Sequence, residues 1–268
     1  TTAEQFAAIA VACRKHACLN PTAEMRTPIT IDDVMNSRMI ADPLHLLDCS
    51  LVSDGGSAII MTSADRAADF PHDPVYILGV GEGHGHEHIS QAQSLTTSFA
   101  VESGRRAFAM AGLKPSDMDF AQLYDCFTPT VLVELEDLGF CKKGEGGAFV
   151  ENGNIELGGM LPVNTHGGLL SHCHPGNPGS MFALTETVTQ LRGTAGARQV
   201  KDAEVNRIRY VMAFPRCLIV TSSAATPRTH KLQALQQHLA APPAQLTRSK
   251  RCLPPRTALL PPPCPQLL

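Results

Sequence analysis

Three histidines lie close together in VNTHGGLLSHCHPGNPGSM, residues 163–181, among four glycines and two prolines. His166, His172 and His174 are of a residue type that binds metals, but His174, followed by Pro175, also fits a general base on a glycine-rich turn. Because proline occupies the first turn of many helices, we expect His174 at a helix N-terminus, where the dipole favours an anionic partner and lowers the imidazole pKa. A plain solvated loop is the other interpretation.

Paired glycines stand between these histidines. Gly167 and Gly168 have no side chain, so their backbone can approach a ligand closely. This favours a substrate-lining turn over a rigid element.

A second group of polar residues follows a predicted strand and precedes a predicted helix. In Tyr124-Asp125-Cys126-Phe127, the first two side chains are candidates for chemistry, and the last two fit the core. Ligands of α/β folds bind at such strand-to-helix edges. Taken alone, the tetrapeptide is also compatible with a purely structural role.

A third group, GEGHGHEHIS, alternates His84, His86 and His88. On a strand the three imidazoles would share one face and could bind a metal. The glycines between them favour a loop, and no His-Glu-x-x-His pattern is present. We therefore expect a solvated or substrate-lining loop, with His84 as a substrate contact and no metal site.

The composition limits the class of protein. The chain has 268 residues, of which 43% are hydrophobic, enough for one large domain or two small ones. No apolar run reaches the roughly 18–20 residues of a membrane span, and no signal peptide is recognisable. Nine irregularly spaced cysteines without a Cys-x-x-Cys pair favour reduced thiols in a cytosol-like compartment. The first residue is not Met and a helix begins at once, so we expect the chain to start inside a larger protein.

The charge changes abruptly along the chain. Residues 206–268 contain nine Lys or Arg, ten of the twenty prolines and no Asp or Glu, whereas all 25 acidic residues precede them. Such a segment buries too little apolar surface to offset its ordering entropy, so we expect a disordered or frameshifted extension. A basic arm for nucleic acid or an acidic membrane is the alternative. The boundary lies near Val205 and separates 206–268 from the preceding residues, within which PHDP at 71–74 is a linker candidate.

Periodicity predicts strands alternating with helices before that boundary, which indicates an α/β fold. Helices are expected at residues 2–17, 31–40, 96–113, 128–140 and 180–193. Strands are expected at 57–63, 75–83 and 119–125, with one more at 210–220.

These motifs, in this order, resemble the thiolase superfamily. VSDGGSAII at 52–60 resembles the turn that ends the first half of a thiolase. YDCFT at 124–128 stands where thiolases have Asn-Glu-Ala-Phe, and NTHGGLLSHCHP at 164–175 stands where they have Asn-x-x-Gly-Gly-x4-Gly-His-Pro. The resemblance covers residues 1–205 and is greatest to the sterol carrier protein x-type and bacterial lipid-transfer-protein-type branch.

The resemblance implies a thiolase-like fold with αβαβα layers, present here only in part. Residues 1–73 would end the N-terminal half and residues 74–205 would form most of the C-terminal half. It implies acyl-CoA as substrate, no cofactor apart from that coenzyme A, a homodimer, and in some relatives a small accessory protein. The expected location is the cytoplasm in bacteria or the peroxisome in eukaryotes, with no nucleic-acid partner and no membrane span.

The resemblance also implies roles for single residues. His174 would be the base and an oxyanion donor, Tyr124 would donate from the position of a family Asn, and His166 stands at a position that is commonly Asn. The expected substrate contacts are Asp125, Asn164, Gly167, Gly168 and His84.

Neither catalytic cysteine of a thiolase can be assigned. The half with the acylated Cys would lie upstream, and Cys217 lacks the glycines that should flank the second one. The leading hypothesis is a fragment of an acyltransferase for Claisen condensation or thiolysis of 3-oxoacyl-CoA, inactive alone. The alternatives are a retro-aldolase for steroid side-chain β-hydroxyacyl-CoA, which needs an acid and a base but no Cys, and a non-catalytic binding subunit.

Overall fold

The computed structural model describes residues 1–86, 89–176, 178–201, 209–214 and 217–223, all within the unit Thr1–Thr226. Most of the basic segment 206–268, including all of 224–268, lies outside the described residues. The prediction that this segment is disordered or frameshifted is therefore untested, as is the boundary at residue 205.

Seven α-helices occur in the described part of the chain. They are α1 (Ala3–Cys18), α2 (Ile31–Met35), α3 (Ala100–Ala111), α4 (Thr128–Asp137), α5 (Gly146–Phe149), α6 (Gly168–Ser171) and α7 (Gly179–Leu191). Short 3-10 turns cover Leu46–Asp48, Ala64–Asp69, Ile89–Gln91, Pro115–Asp117 and Gly196–Arg198.

The central sheet has four strands in the order β3–β6–β5–β4. β3 (Val75–Glu82) and β6 (Cys217–Ser223) are antiparallel, as are β6 and β5 (Arg209–Phe214), whereas β5 runs parallel to β4 (Phe120–Leu123). A separate two-stranded ladder joins β1 (Met39–Ala41) to β2 (Leu44–His45). Helices pack on a mixed sheet, so the α/β prediction is confirmed.

The N-terminal helix begins as the sequence predicts. Thr2 and Gln5 form a capping box, in which the Gln5 amide N–H donates to Thr2 Oγ1 (3.4 Å) and the Thr2 amide N–H donates to Gln5 Oε1 (2.9 Å). The buried face of α1, including Ile9 and Cys13, joins the main apolar core together with Val131 of α4.

Two glycines bring α3 against β3. A Cβ at Gly79 would fall 2.2 Å from the Ala107 carbonyl oxygen, and one at Gly81 would fall 1.9 Å from that of Ser103. The helix backbone therefore lies directly on the strand, a packing that any larger residue would prevent.

Several sequence-based predictions differ from the structure. The helix expected at 31–40 ends at Met35, and β1 begins at Met39. Residues 57–63, expected as a buried strand, form no helix or strand although all are described, and Ile60 and Met61 are 85% and 74% exposed. An apolar run alone does not show whether pairing partners are present. Residues 210–220, expected as one strand, contribute to two, β5 and β6. Pro175 precedes α7 by four residues instead of occupying its first turn.

None of the helices in the described part of the chain combines the length and hydropathy that crossing a bilayer requires.

Candidate active site

The side chain of Asn164 forms hydrogen bonds with the backbone at the carboxyl end of β4. Asn164 is fully buried, with φ of +55°. Its Nδ2 donates to the Leu123 carbonyl (3.0 Å) and its Oδ1 accepts from the Leu123 amide (2.8 Å), which copies the pairing of a peptide group. Both polar atoms of the Asn164 side chain are thus hydrogen-bonded to the protein backbone. The predicted substrate contact of Asn164 remains untested.

The carboxylate of Asp125 holds the loop that carries the histidines. Oδ1 accepts from the Leu169 amide (2.9 Å) and Oδ2 from the Leu170 amide (3.2 Å), both in the first turn of α6. Burial raises the pKa of Asp125 to about 6, and these two amide donors partly offset that rise. Asp125 therefore fixes the position of α6 relative to β4.

Neighbouring protein groups leave no room for a side chain at Gly167 or Gly168. A Cβ at Gly168 would fall 2.0 Å from Asp125 Oδ2, and one at Gly167 would fall 2.7 Å from the Ala17 Cβ. Both residues have positive φ, +108° and +65° for Gly167 and Gly168. The close approach that the sequence indicates is thus an approach to Asp125 and α1, which places the loop. Whether these glycines also contact a substrate remains a prediction.

An extended segment positions His174. The amides of Ser50 and Leu51 donate to the carbonyls of Cys126 and Leu169 (both 3.0 Å), so this segment is hydrogen-bonded to the ends of β4 and α6. Ser53 Oγ then accepts from the His174 amide (2.9 Å), and Ser50 Oγ lies 2.8 Å from His174 Nδ1. Both serines precede the motif DGG, and neither was singled out from the sequence.

His174 is half-buried between α6 and α7 and does not sit at a helix N-terminus, because α7 begins only at Gly179. Its pKa is lowered by burial, with a partial rise from a hydrogen bond to the Leu51 backbone. The expected direction of the shift is therefore found, but the cause is burial and not the helix dipole. In the tautomer that carries its proton on Nδ1, this N–H donates to Ser50 Oγ and the Nε2 lone pair is available as a base.

The ring of Tyr124 stands edge-on to that of His174, with centroids 6.3 Å apart and an interplanar angle of 81°. Burial raises the Tyr124 pKa to about 12, and Cys126 and Asp125 add to the rise. The phenol is therefore protonated at neutral pH and can donate. Burial also raises the pKa of Cys126 and of Cys173 to about 11, which keeps both thiols protonated and poorly nucleophilic.

A buried glutamate of α4 supports Tyr124. Glu134 Oε2 accepts from the Tyr124 amide (2.9 Å), and burial raises the Glu134 pKa well above its usual range. Glu134 lies among the apolar positions Val131 and Leu135 of the same helix. A carboxyl at a core position of a helix is a signal in the sequence that could have identified this residue.

His166 lines a cavity of about 500 Å³. The rings of His166 and His172 meet edge to face with centroids 5.2 Å apart, and both line this cavity. Burial lowers the pKa of His172 to about 4 and that of His166 well below its usual range, so both are neutral. His172, to which the sequence analysis assigns no role in the thiolase-like site, is thus part of the same polar wall as His166.

His84 lies elsewhere. Its imidazole is exposed, with Nε2 2.7 Å from Glu82 Oε1, and it lines neither this cavity nor the smaller one beside Tyr124. His88 lies outside the described residues. Among the residues that are described, no three His, Cys, Asp or Glu side chains gather closely enough to hold a metal ion.

The comparisons with known proteins agree with this architecture. Residues 81–209 match the family described as thiolase C-terminal domain-like. A steroid side-chain-cleaving aldolase from Thermomonospora curvata is 45% identical over 72% of this chain and 50% of its own length. An acetyl-CoA acetyltransferase from Methanothermobacter thermautotrophicus is 42% identical over 76% of this chain and 54% of its own.

One solved structure, described as an Ltp2-ChsH2(DUF35) aldolase, superposes with a TM-score of 0.77 at 38% identity and covers 85% of this chain and 60% of that one. The chain spans about half the length of the curated relatives named above. The matched residues include β4, the Asp125 anchor and the loop that carries His174. The chain therefore belongs to the thiolase superfamily, of which it carries the C-terminal part.

Proposed function

We propose that this chain supplies the acid–base part of an acyl-CoA enzyme that cleaves a carbon–carbon bond by a retro-aldol reaction. The observation that carries the proposal is the pairing of a protonated phenol, Tyr124, with a neutral imidazole, His174, at 6.3 Å between ring centroids. A retro-aldol reaction needs one base and one acid and no thiolate. The two thiols in this region, Cys126 and Cys173, are held protonated.

In the proposed reaction His174 Nε2 takes the proton from the β-hydroxyl of a β-hydroxyacyl-CoA. The bond between the α- and β-carbons breaks, and its electron pair moves onto the α-carbon and the thioester carbonyl as an enolate. The β-carbon leaves as a carbonyl group, the Tyr124 phenol donates its proton to the α-carbon of the enolate, and the proton taken up by His174 then restores the phenol. Coenzyme A remains on the acyl product, and no further cofactor is required.

The similarity to the aldolase from Thermomonospora curvata supports this reaction, and that to the Ltp2-ChsH2 structure supports a small accessory partner. A homodimer is proposed by analogy with the family. His166, Asp125, Asn164, Gly167 and Gly168 would support the site by holding its loop, with direct substrate contacts as a further proposal.

Acyl transfer of the thiolase type is the second candidate. The acetyl-CoA acetyltransferase relative favours it, and so does the lowered pKa of His174, which suits a base that activates a Cys supplied from elsewhere. In that case Tyr124 would donate to the thioester oxyanion.

His174→Ala and Tyr124→Phe in the natural-length enzyme test the proposal. We expect His174→Ala to lower kcat for cleavage of a β-hydroxyacyl-CoA by about 10²-fold or more, and Tyr124→Phe by about 10-fold or more. A loss within about threefold for His174→Ala contradicts the assignment. Trapping of an acyl-enzyme thioester during turnover would instead establish acyl transfer.

A further inference from the structure

A second, much smaller cavity lies beside Tyr124. Its volume is about 10 Å³, the space that the centre of one water molecule needs. It lies between the end of β4, the His166 loop and the start of α7. The residues around it are Gln122, Leu123, Tyr124, Asp125, His166, Leu169, Gly179, Ser180 and Ala183.

Two of these residues present a buried polar atom without a hydrogen-bond partner among the described residues. These atoms are Gln122 Oε1 and His166 Nδ1, on side chains that are 0% and 3% exposed. Leaving a buried polar atom without a partner is energetically costly. The two residues that carry these atoms line one small cavity, which points to a shared partner inside it.

The orientation of the Gln122 amide is fixed by its neighbours. Thr165 Oγ1 donates its only proton to the Glu186 carboxylate (2.9 Å), so it must accept from Gln122 Nε2 (2.9 Å). Gln122 Oε1 therefore points the other way and can only accept. The occupant of the cavity has to be a hydrogen-bond donor, which excludes an anion, and the buried carboxylate of Asp125 on the same wall excludes it further.

We propose that Gln122 and His166 hold one buried water molecule beside Tyr124, and that both are positioning residues for the acid end of the site. The water donates to Gln122 Oε1 and shares a hydrogen bond with His166 Nδ1. His166 also lines the cavity of about 500 Å³, so its imidazole forms the wall between the buried water and that larger space.

The position of the water beside Tyr124 determines its proposed role. Gln122 lies in β4 and Tyr124 directly follows the end of that strand, and both residues line the small cavity. A water in this cavity would fill the space beside Tyr124 and keep apolar groups from collapsing into it. The kinetic part of this inference rests on the proposed function, whereas the water site itself does not.

A crystal structure of the natural-length protein at about 1.5 Å resolution tests the site directly. We expect one water peak within about 2.7–3.2 Å of both Gln122 Oε1 and His166 Nδ1. A cavity without such a peak, or one filled by a rotated side chain, overturns the inference.

Gln122→Met and Thr165→Val form a matched pair. Both remove the hydrogen bond between these two side chains, but only Gln122→Met removes an atom that would hold the water. We expect the water to be lost in Gln122→Met and kept in Thr165→Val, and retention in both overturns the assignment.

For turnover, we expect Gln122→Met to lower kcat about tenfold with KM unchanged, and Thr165→Val to stay within about threefold. Equal kcat values for the two variants overturn the positioning role. If Gln122→Met does not fold, Ala183→Val replaces it, because its added methyl groups fill the cavity and leave both polar residues in place. An ordered water in a protein without carbon–carbon cleavage would mean that the proposed function fails while the water site stands.

Discussion

Two segments of this chain combine histidines with glycines, and their surroundings differ. In residues 163–174, His166 and His172 are buried, and Gly168 lies against the Asp125 carboxylate. In residues 81–86, His84 is exposed and paired with Glu82, while Gly81 lies against α3 and Gly83 and Gly85 lie against Phe99. The difference comes from the elements around each segment: the first packs against α1 and against Asp125 at the end of β4, whereas the second lies at the end of β3, beside Phe99 and α3. Residue types alone therefore do not identify the site.

The largest effect should come from the anchor of the buried segment. Asp125→Ala leaves the Leu169 and Leu170 amides without their acceptor in a buried place, so we expect a loss of about 3–4 kcal/mol in the free energy of unfolding. Urea denaturation measures it. A loss below about 1 kcal/mol would show that the loop does not depend on this carboxylate.

Gly168→Ala tests the close contact between Gly168 and Asp125. Its expected effect on the free energy of unfolding is smaller. A Cβ there meets Asp125 Oδ2 and also requires φ of +65°, so we expect about 2–3 kcal/mol of destabilisation. Gly176→Ala is the matched control, since Gly176 has φ of +70° but no described heavy atom lies within 4 Å of the place that its new methyl group would take. We expect about 1 kcal/mol for it, and equal losses at both positions would rule out the contact with Asp125.

Acid should destabilise the fold through its buried histidines. Burial lowers the pKa of His172 and of His16 to about 4, from about 6.5 in the unfolded chain. The folded state therefore resists protonation, and stability is complete above about pH 6.5 and is lost as the pH falls towards 4. Asp125, with its pKa raised to about 6, opposes this, because its contribution is complete below about pH 4 and is lost above pH 6.

The variant His172→Phe should remove about 2 kcal/mol of the decrease in unfolding free energy between pH 6.5 and 4.5. Denaturation curves at several pH values, measured beside those of the wild-type protein, show it. An unchanged slope in His172→Phe would mean that this histidine is protonated as readily in the folded protein as in the unfolded chain.

His84→Ala should have the smallest effect, under about 0.5 kcal/mol on stability, because its partner is an exposed carboxylate. We also expect kcat and KM to stay within about twofold of wild type. A clear rise in KM would instead support the sequence-based prediction that His84 binds substrate, and would reduce the contrast between the two segments.

The sequence predicts much of the fold for identifiable physical reasons. The capping residues of α1 and the glycine at the end of α3 are local signals, and both elements are found where expected. The strand expected at residues 57–63 is not found, since an apolar run is buried only where other strands or helices cover it. For residues 210–220 the sequence predicts one strand, and nothing in its apolar pattern shows the division into the antiparallel strands β5 and β6.

The site was only partly predictable. The order of motifs singles out Tyr124, Asp125 and His174, and the structure brings them together at the end of β4. The contributions of Ser50, Ser53 and Glu134 depend on contacts between residues 10 to 124 positions apart, which periodicity cannot show. Gln122 was detectable in principle as a polar residue inside an otherwise apolar strand.

The hydrogen bonds between the Asn164 side chain and the Leu123 backbone have a consequence for the chemical stability of the protein. Deamidation would turn its Nδ2 donor into a carboxylate oxygen, facing the Leu123 carbonyl at 3.0 Å and close to Asp125. Two acceptors would then repel each other at the corner from which the His174 loop departs. A spontaneous change of a single atom at this position would therefore loosen the active-site loop in ageing protein without altering any residue that takes part in the proposed reaction.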